Sequence, residues 1–151
     1  MIHGFGHLFV HIKENIAKVR DLKTSGYMDR AADACLNKRA AQICALDILL
    51  AEHRIKYGTL FNGLYGKQAL HHKLLIKYKW PLSAIRALSL GDVLLALHDE
   101  LAFESLSESA GNYLYQVTSL SEYPVNFPDY LEAEWDPLLS QKFLFDSQDQ
   151  N

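Results

Sequence analysis

The stretch from residue 27 to residue 57 constrains the fold of this chain more than any other. It contains no glycine and no proline, and alanine and leucine are its commonest residues. Glycine and proline disfavour a helix interior most strongly, whereas alanine and leucine favour it. We therefore predict one long helix over 27–57, with Asp29 as its N-cap and Gly58 at its end. Apolar residues cover a broad part of its surface, which is typical of a central helix that others surround.

Shorter helices are predicted before and after this one, because apolar residues recur at helical spacing between glycines, prolines and capping residues. Gly26 is the predicted stop of the first, Pro81 lies in the first turn of another, and Ser89 is a candidate N-cap. The predicted helices span 7–26, 67–79, 81–89, 90–106 and 108–120. For the last of them a strand is the alternative, since the apolar side chains at 113, 115 and 117 alternate.

The predicted fold class is all-α, as a compact bundle of about five to six helices around the central helix. Prolines at 124, 128 and 137 break the C-terminal segment into short turns. A chain of 151 residues that is 49% hydrophobic can bury one core without disulfides or metals. We expect one domain over 1–146, with a basic half (1–80), an acidic half (81–146) and a frayed polar tail at 147–151.

A cytoplasmic location is expected from the apolar runs and the two cysteines. No apolar run approaches the roughly 20 residues of a membrane span, and the N-terminus lacks the basic region and small-residue cleavage site of a signal peptide. Cys35 and Cys44 lie nine residues apart on one predicted helix, which separates their Cα atoms by roughly 13 Å. A disulfide spans about 7 Å at most. The sequence therefore predicts two reduced thiols.

Charge is divided unevenly along the chain. Residues 1–80 carry 13 basic and 6 acidic residues, a net of +7, whereas residues 81–151 carry 2 and 12, a net of −10. Such a division bears on which partners a protein binds and on the electrostatic steering of their association, and it does not bear on the fold. Three interpretations stay open: the halves pack on each other, the basic half binds nucleic acid or an acidic surface, or the acidic half binds a basic partner.

The acidic half carries the predicted protein-binding residues. Glu100, Glu104 and Glu108 recur at every fourth position, a row of like charges on one predicted helical face. Further along, Tyr130 and Trp135 stand among carboxylates and prolines. Aromatic anchors supply much of the energy of protein interfaces. These five residues are the predicted docking site, and the alternative is that the aromatic side chains cover the bundle.

A basic stretch at 67–80 carries the alternative prediction, binding of nucleic acid. Lysines contact phosphates, and aromatic side chains stack on unpaired bases. The residues concerned are Lys67, Lys73, Lys77, Lys79 and Trp80. A helix-turn-helix match just after this stretch is rejected, because its second helix carries Asp92, Asp99 and Glu100 and no basic residue.

The histidines raise the question of metal and of catalysis. His3, His7 and His11 recur at every fourth position, but Gly4 and Gly6 disfavour a helix between the first two. We therefore predict no physiological metal site and no cofactor. The sequence has no nucleophile elbow, phosphate loop, metalloprotease or dinucleotide motif. An enzyme centred on His98 is the least favoured hypothesis.

The function expected from these features is that of a small, cytosolic, non-catalytic protein–protein interaction module, a regulator or adaptor. It would use the acidic and aromatic C-terminal half together with the basic N-terminal half. The alternatives are a nucleic-acid-associated regulator and, less favoured, the His98 enzyme. A homodimer is also consistent with the sequence, because ends of opposite charge attract and the apolar surface of the central helix can be shared between two chains.

Overall fold

The computed structural model of the protein describes residues 2–26, 29–119 and 124–146. The predicted start of the long helix at 27–28, the predicted helix end at residue 120 and the polar tail at 147–151 lie outside these residues. The described residues form seven α-helices, two short 3-10 helices and one two-stranded antiparallel ribbon. The predicted all-α class is confirmed. No described helix is both long and apolar enough to cross a membrane.

The predicted long helix is the centre of the fold. Helix α2 spans Arg30–Tyr57. Its predicted N-cap is confirmed, because the Asp29 side chain accepts a hydrogen bond from the backbone N–H of Ala31 at 3.0 Å. It ends at Gly58, the C-cap residue, whose N–H donates to the carbonyl of Arg54. Helices α1, α3 and α6 all pack against it.

Helix α1 spans Phe5–Val19 and ends earlier than the predicted stop at Gly26. Asp21 adopts a left-handed conformation with φ of 55°, and the N–H of Leu22 donates to the carbonyl of Ala17 at 2.8 Å. This pattern closes a helix C-terminus without a glycine. At the other end, Gly4 has φ of 90°, and a Cβ there would lie 1.9 Å from the Phe143 carbonyl oxygen. Only glycine fits at that position.

Three shorter helices follow, α3 at Gln68–Tyr78, α4 at Leu82–Arg86 and α5 at Leu90–Ala96. Pro81 is the N-cap of α4. The predicted cap of α5 is confirmed as a capping box. Ser89 Oγ accepts from the Asp92 N–H at 3.1 Å, and the Asp92 carboxylate accepts from the Ser89 N–H at 3.4 Å.

The helix predicted over 90–106 is wrong beyond Ala96, where the chain turns. Lys77 on α3 donates to the carboxylates of both Asp99 and Glu100, at 3.0 and 2.9 Å. Consecutive side chains on a helix diverge by about 100°, and like charges at every fourth position disfavour a helix. The turn lets one ammonium group bind both carboxylates. A short 3-10 helix at Phe103–Ser105 follows.

The C-terminal part begins with α6 at Glu108–Ser119, which confirms a helix rather than a strand there. The segment after residue 123 forms a 3-10 helix at Glu132–Glu134 and α7 at Ser140–Phe143. The chain then pairs with its own beginning: β1 (Ile2–His3) and β2 (Phe145–Asp146) form the ribbon. The sequence analysis had predicted no strand at either end.

The core lies where α2 meets its neighbours. Its largest fully buried side chains come from α1, α2, α3, α4, α5 and the turn that follows α5. They include Leu8, Ile12, Ile16, Leu36, Ile43, Leu46, Leu50, Leu74, Ile85, Leu94 and Leu97. The two cysteines are unpaired, as predicted: Cys44 is buried in this core and Cys35 is partly exposed.

Candidate functional site

The C-terminal aromatic residues that predict a docking site fold back onto the helices. Trp135 is only 8% exposed, and its indole N–H donates to Oδ1 of Asp47 on α2 at 3.0 Å. Burial raises the pKa of Asp47 to about 7, and the indole hydrogen bond opposes this rise. The Trp135 ring is thus an internal anchor of the C-terminal segment.

Two arginines fix the same segment through one carboxylate. Oε1 of Glu134, which is fully buried, lies 2.9 Å from Nη2 of Arg20 and 2.9 Å from Nη1 of Arg39. Arg39 also donates to the carbonyls of Phe127 and Asp129. The half-exposed ring of Tyr130 lies 4.0 Å from the guanidinium carbon of Arg39, a cation–π geometry. Burial lowers the pKa of Arg39, and the charge of Glu134 opposes this. We call this group the Arg39 clamp.

The predicted row of glutamates does not exist, because the chain turns after Ala96. Glu100 is half-buried and lies 3.0 Å from Nζ of Lys73 and 2.9 Å from Nζ of Lys77. These lysines lower the pKa of its carboxyl group, whereas burial opposes the shift. Glu104 and Glu108 are exposed on separate elements, the 3-10 helix and α6. Both the clamp and this cluster join the basic half to the acidic half.

The lysines of the predicted nucleic-acid site divide into two pairs. Lys73 and Lys77 form the ion pairs with Glu100, whereas Lys67 and Lys79 are exposed. The ring of Trp80 stacks on Tyr78 at a centroid distance of 4.3 Å, with 10° between the planes. Two of the four lysines therefore have internal carboxylate partners.

His11 and His98, which were considered for metal binding and for catalysis, lie in different settings. His11 stacks on Phe143 at 4.3 Å, and the described residues contain no group of three or more metal-ligating side chains. His98 is exposed beside an open cleft of about 630 Å³. Within the described part of the chain, its ring makes no hydrogen bond to a carboxylate or a second histidine.

A histidine pair that the sequence analysis did not predict joins α2 to α3. Nε2 of His53 lies 2.8 Å from Nδ1 of His72, so one ring nitrogen donates and the other accepts. The ring of Tyr57 contacts both imidazoles. Burial, together with the nearby charge of Lys73, lowers the pKa of His53 to about 4. His53 is therefore neutral near pH 7.

Among the residues that the structure describes, the most exposed large apolar side chains lie on the loop between α2 and α3. Leu60 is 95% exposed and Phe61 is 96% exposed. We call residues 58–66 the apolar loop. Single exposed apolar side chains are common on protein surfaces, whereas large ones that are exposed side by side form a patch, and such patches mark contact with another molecule.

The apolar loop is held in one conformation by its own hydrogen bonds. The N–H of Thr59 donates to the Asn62 carbonyl at 2.8 Å, and the N–H of Leu64 donates to Oδ1 of Asn62 at 2.8 Å. Nε of Arg54 donates to the Leu64 carbonyl at 3.1 Å, which ties the loop to α2. Leu64 itself is buried in the core. Leu60 and Phe61 thus project from a fixed backbone.

A small pocket borders the base of this loop. It has a volume of about 270 Å³ and apolar walls from Ile55 and Tyr65 on one side and Leu144 and Phe145 on the other. Arg54 and Ser140 also line it. We call it the Arg54 pocket.

The polar groups of the Arg54 pocket are incompletely bonded. Ser140 is 1% exposed, and neither its Oγ nor the buried Nη2 of Arg54 has a hydrogen-bond partner among the described residues. Burial lowers the pKa of Arg54, and the charge of Asp47, two helical turns away on α2, opposes this. Buried polar atoms are nearly always bonded in native proteins, so these two atoms are exceptions, and neither has surface that a ligand could contact.

Neither of these features was predicted from the sequence. No helix was predicted over 59–66, and the structure has a loop there. The sequence signal for an exposed apolar site is Leu60 and Phe61 between glycines, because connecting segments run over the protein surface. Nothing in the sequence could have paired Arg54 with Ser140, which follows it by 86 positions.

Comparison of the chain with protein-family models, with curated proteins and with solved structures found no match.

Proposed function

We propose that the protein is a small, cytosolic, non-catalytic protein–protein interaction module, and that the apolar loop is its docking surface. The partner is a protein segment that carries apolar side chains beside carboxylates. The observation that carries this proposal is the near-complete exposure of Leu60 and Phe61 on a hydrogen-bonded loop. Burying such side chains in a partner contributes about 1.5–3 kcal/mol each.

The fixed backbone of the loop supports recognition of a shaped partner. Ordering a loop on binding costs free energy, and a loop that is already ordered avoids this cost. The hydrogen bonds of Thr59 and Asn62, together with the bond from Arg54 to Leu64, supply that order before any partner arrives.

The charge around the loop supports an acidic partner. The sequence contains no aspartate or glutamate between Glu52 and Asp92, whereas Lys56 and Lys67 flank the loop and are both exposed. A basic setting of this kind attracts carboxylates and repels basic segments. This is the charge opposite to that of a partner for the acidic half, where the carboxylates of Asp99, Glu100, Asp129 and Glu134 pair with basic residues of the same chain.

The predicted residues of the acidic half contribute less to this proposal than the apolar loop does. Trp135 and Glu134 are buried, and Glu100 binds two lysines. Glu104, Glu108 and Tyr130 keep exposed surface and stay candidates for a second contact with a partner.

The test compares two variants in which one exposed apolar side chain is removed. Phe61→Ser alters the apolar loop, whereas Leu95→Ser alters a residue of α5 that is 74% exposed and serves as the matched control. Tagged wild type and both variants are purified gently from the native host at low and at high salt. Bound proteins are identified by mass spectrometry, and binding is then measured again with the purified partner.

The proposal expects one protein, in stoichiometric amount, bound to wild type and Leu95→Ser but weakened about tenfold or more by Phe61→Ser. Equal binding to all three forms would exclude the apolar loop as the docking surface. Binding of the wild type to vesicles of anionic phospholipid, lost in Phe61→Ser, would replace the protein partner by a membrane surface.

A nucleic-acid-associated regulator is the second candidate, supported by the exposed Lys67 and Lys79 and by Trp80 beside them. It predicts bound nucleic acid that dissociates as salt rises, with a weaker salt dependence in Lys67→Gln or Lys79→Gln. The same purification distinguishes it, through the absorbance of the bound material at 260 nm.

A further inference from the structure

We propose that the partner of the apolar loop is a second copy of this chain, bound in a symmetric dimer. This inference rests on the proposed function and names the partner of the same site. In such a dimer one surface contacts its own copy across a two-fold axis, so each copy contributes the same residues. The surface must therefore be apolar at its centre and must have charges of both signs beside it.

The apolar loop is one part of a larger apolar surface. Tyr65 of the loop borders the same pocket as Ile55 in the last turn of α2 and Phe145 of β2. Leu138 adjoins the loop, because its Cδ2 atom would lie 3.5 Å from a Cβ at Gly66. These four side chains are each between 48% and 67% exposed. The apolar surface consists of Ile55, Leu60, Phe61, Tyr65, Leu138 and Phe145.

The size of the apolar surface fits one side of a small dimer interface. Aromatic side chains present about 150–250 Å² each and aliphatic ones somewhat less, so the six side chains at these exposures present on the order of 700 Å². The largest apolar patch of a typical monomer covers about 300–600 Å², whereas each partner in an interface of standard size buries about 800 Å². A second copy removes this area from water on both chains at once.

The charges beside the apolar surface fit a second copy. Lys56 and Lys67 flank the loop, whereas Asp136 and Asp146, with Lys142 between them, belong to its C-terminal side. This side thus presents apolar side chains beside carboxylates, which is the chemistry that the proposed function requires of a partner. In the dimer the loop of each copy meets the C-terminal side of the other, so lysines of one copy face aspartates of its partner.

The middle of the central helix is not the surface that a dimer shares. The sequence analysis considered a homodimer through the apolar surface of this helix. Leu36, Ile43 and Leu50 of α2 are buried within one chain. Ile55, in the last turn of α2, is the residue of this helix that belongs to the apolar surface. A dimer therefore forms where α2 ends and leaves the core of each copy intact.

The first test measures the mass of the full, untagged chain as its concentration rises. Sedimentation equilibrium from about 1 to about 500 µM should show a monomer–dimer equilibrium with a Kd on the order of 10 µM. Raising NaCl from about 50 to about 500 mM should change this Kd by less than about tenfold, because apolar burial contributes more than exposed ion pairs do. A monomer at every concentration would overturn the proposal, and so would a dimer that high salt dissociates.

The second test locates the contact with single substitutions. Phe61→Ser removes an apolar side chain from both copies and should weaken the dimer about hundredfold, and Leu138→Ser should weaken it about tenfold or more. Leu95→Ser is the matched control, because Leu95 is 74% exposed on α5 and lies outside the apolar surface. Thermal unfolding verifies that all three variants are folded. An unchanged Kd in either Phe61→Ser or Leu138→Ser would overturn the proposed contact.

The inference and the proposed function fail in distinguishable ways. If the chain stays monomeric while a different protein binds it and requires Phe61, the docking function stands and the second copy is excluded. If the dimer requires Phe61 and Leu138 and the purification yields no other protein, the second copy is the partner. If Phe61→Ser changes neither the dimer nor the binding of another protein, both proposals fail.

Discussion

Arg39 and Arg54 lie fifteen residues apart on helix α2, and their guanidinium groups differ in how completely they are hydrogen-bonded. Arg39 donates to both carboxylate oxygens of Glu134 and to two backbone carbonyls. Arg54 donates through Nε to Leu64, and its buried Nη2 has no partner within the described residues. The guanidinium of Arg39 stabilises the fold, whereas that of Arg54 has one nitrogen that makes no hydrogen bond within the described residues.

The two arginines differ in how completely their hydrogen-bond donors are used within the described structure. A buried ion pair that loses one partner leaves an uncompensated charge, which is strongly destabilising. An incompletely bonded cation, in contrast, already carries part of that cost in the free protein. The Arg39 clamp therefore uses part of the opposite charge of the two halves inside the fold, whereas Arg54 keeps one buried nitrogen without a partner among the described residues.

The largest effect is expected from breaking the clamp. Glu134→Ala leaves Arg20 and Arg39 facing each other without their shared carboxylate, and should lower the free energy of unfolding by about 3–5 kcal/mol. Urea unfolding measures this loss. Glu104→Ala, at an exposed glutamate, is the control and should change stability by less than about 0.5 kcal/mol. Similar stability of the two variants would mean that the clamp does not stabilise the fold.

The same substitution at the two arginines compares them directly. Arg39→Met leaves Glu134 with Arg20 alone and should cost about 3 kcal/mol. Arg54→Met loses one hydrogen bond to Leu64 and removes an unpaired donor, so we expect about 1 kcal/mol. Arg86→Met, on the exposed side of α4, controls for loss of a surface charge. A cost for Arg54→Met as large as that for Arg39→Met contradicts the comparison.

A third prediction concerns Asp47, the buried carboxyl group on the same helix as Arg54. The pKa of Asp47 is raised from 3.8 to about 7, so its contribution to stability is lost as pH rises through that range. The pKa of His53 is lowered from 6.5 to about 4, so its contribution is lost as pH falls through that range. Between about pH 4 and 6.5 the two contributions oppose each other.

Asp47→Asn removes the contribution of Asp47, so the pH dependence that comes from His53 is no longer opposed. The stability of the variant should rise with pH between about 4 and 6.5 more steeply than that of the wild type, by at most about 1.4 kcal/mol per pH unit. Urea unfolding across this range measures both slopes. In Asp47→Asn/His53→Gln the extra slope should disappear. Parallel pH profiles of Asp47→Asn and wild type would contradict the assignment.

Local chemistry made part of the fold predictable from the sequence. The N-cap Asp29, the end at Gly58 and the cap Ser89 act through hydrogen bonds to residues within four positions. The predicted helix over 90–106 failed because Lys77, more than twenty positions away, binds Asp99 and Glu100 at a turn. Periodicity indicates which face of a helix is apolar, but it does not indicate which distant charged side chain will form an ion pair with a given residue.

The candidate site was less predictable than the fold for the same reason. The aromatic residues of the acidic half have the composition of a docking segment, yet a buried aspartate at 47 accepts the Trp135 indole hydrogen. The apolar loop has the glycines of a turn, yet its Leu60 and Phe61 stay exposed where burial would be expected of such side chains. Whether an apolar or charged side chain is covered depends on tertiary contacts, which a single sequence does not contain.

The smallest expected effect is a comparison of two serines. Ser89 bonds the N–H of Asp92 at the start of α5, so Ser89→Ala should cost about 1 kcal/mol of stability. Ser140 is buried without a partner among the described residues, so Ser140→Ala should change stability by less than about 0.5 kcal/mol or raise it. Thermal and urea unfolding of the two variants side by side measure this difference.

The sign of the Ser140 result bears directly on the Arg54 pocket. Truncating a side chain that stabilises the fold lowers the stability of the protein, as we expect for Glu134→Ala and Ser89→Ala. A buried hydroxyl without a partner adds no stability to the fold, because it has left water without gaining a compensating hydrogen bond. If Ser140→Ala destabilises the free protein as much as Ser89→Ala does, its hydroxyl already has a partner there, and the Arg54 pocket resembles the Arg39 clamp after all.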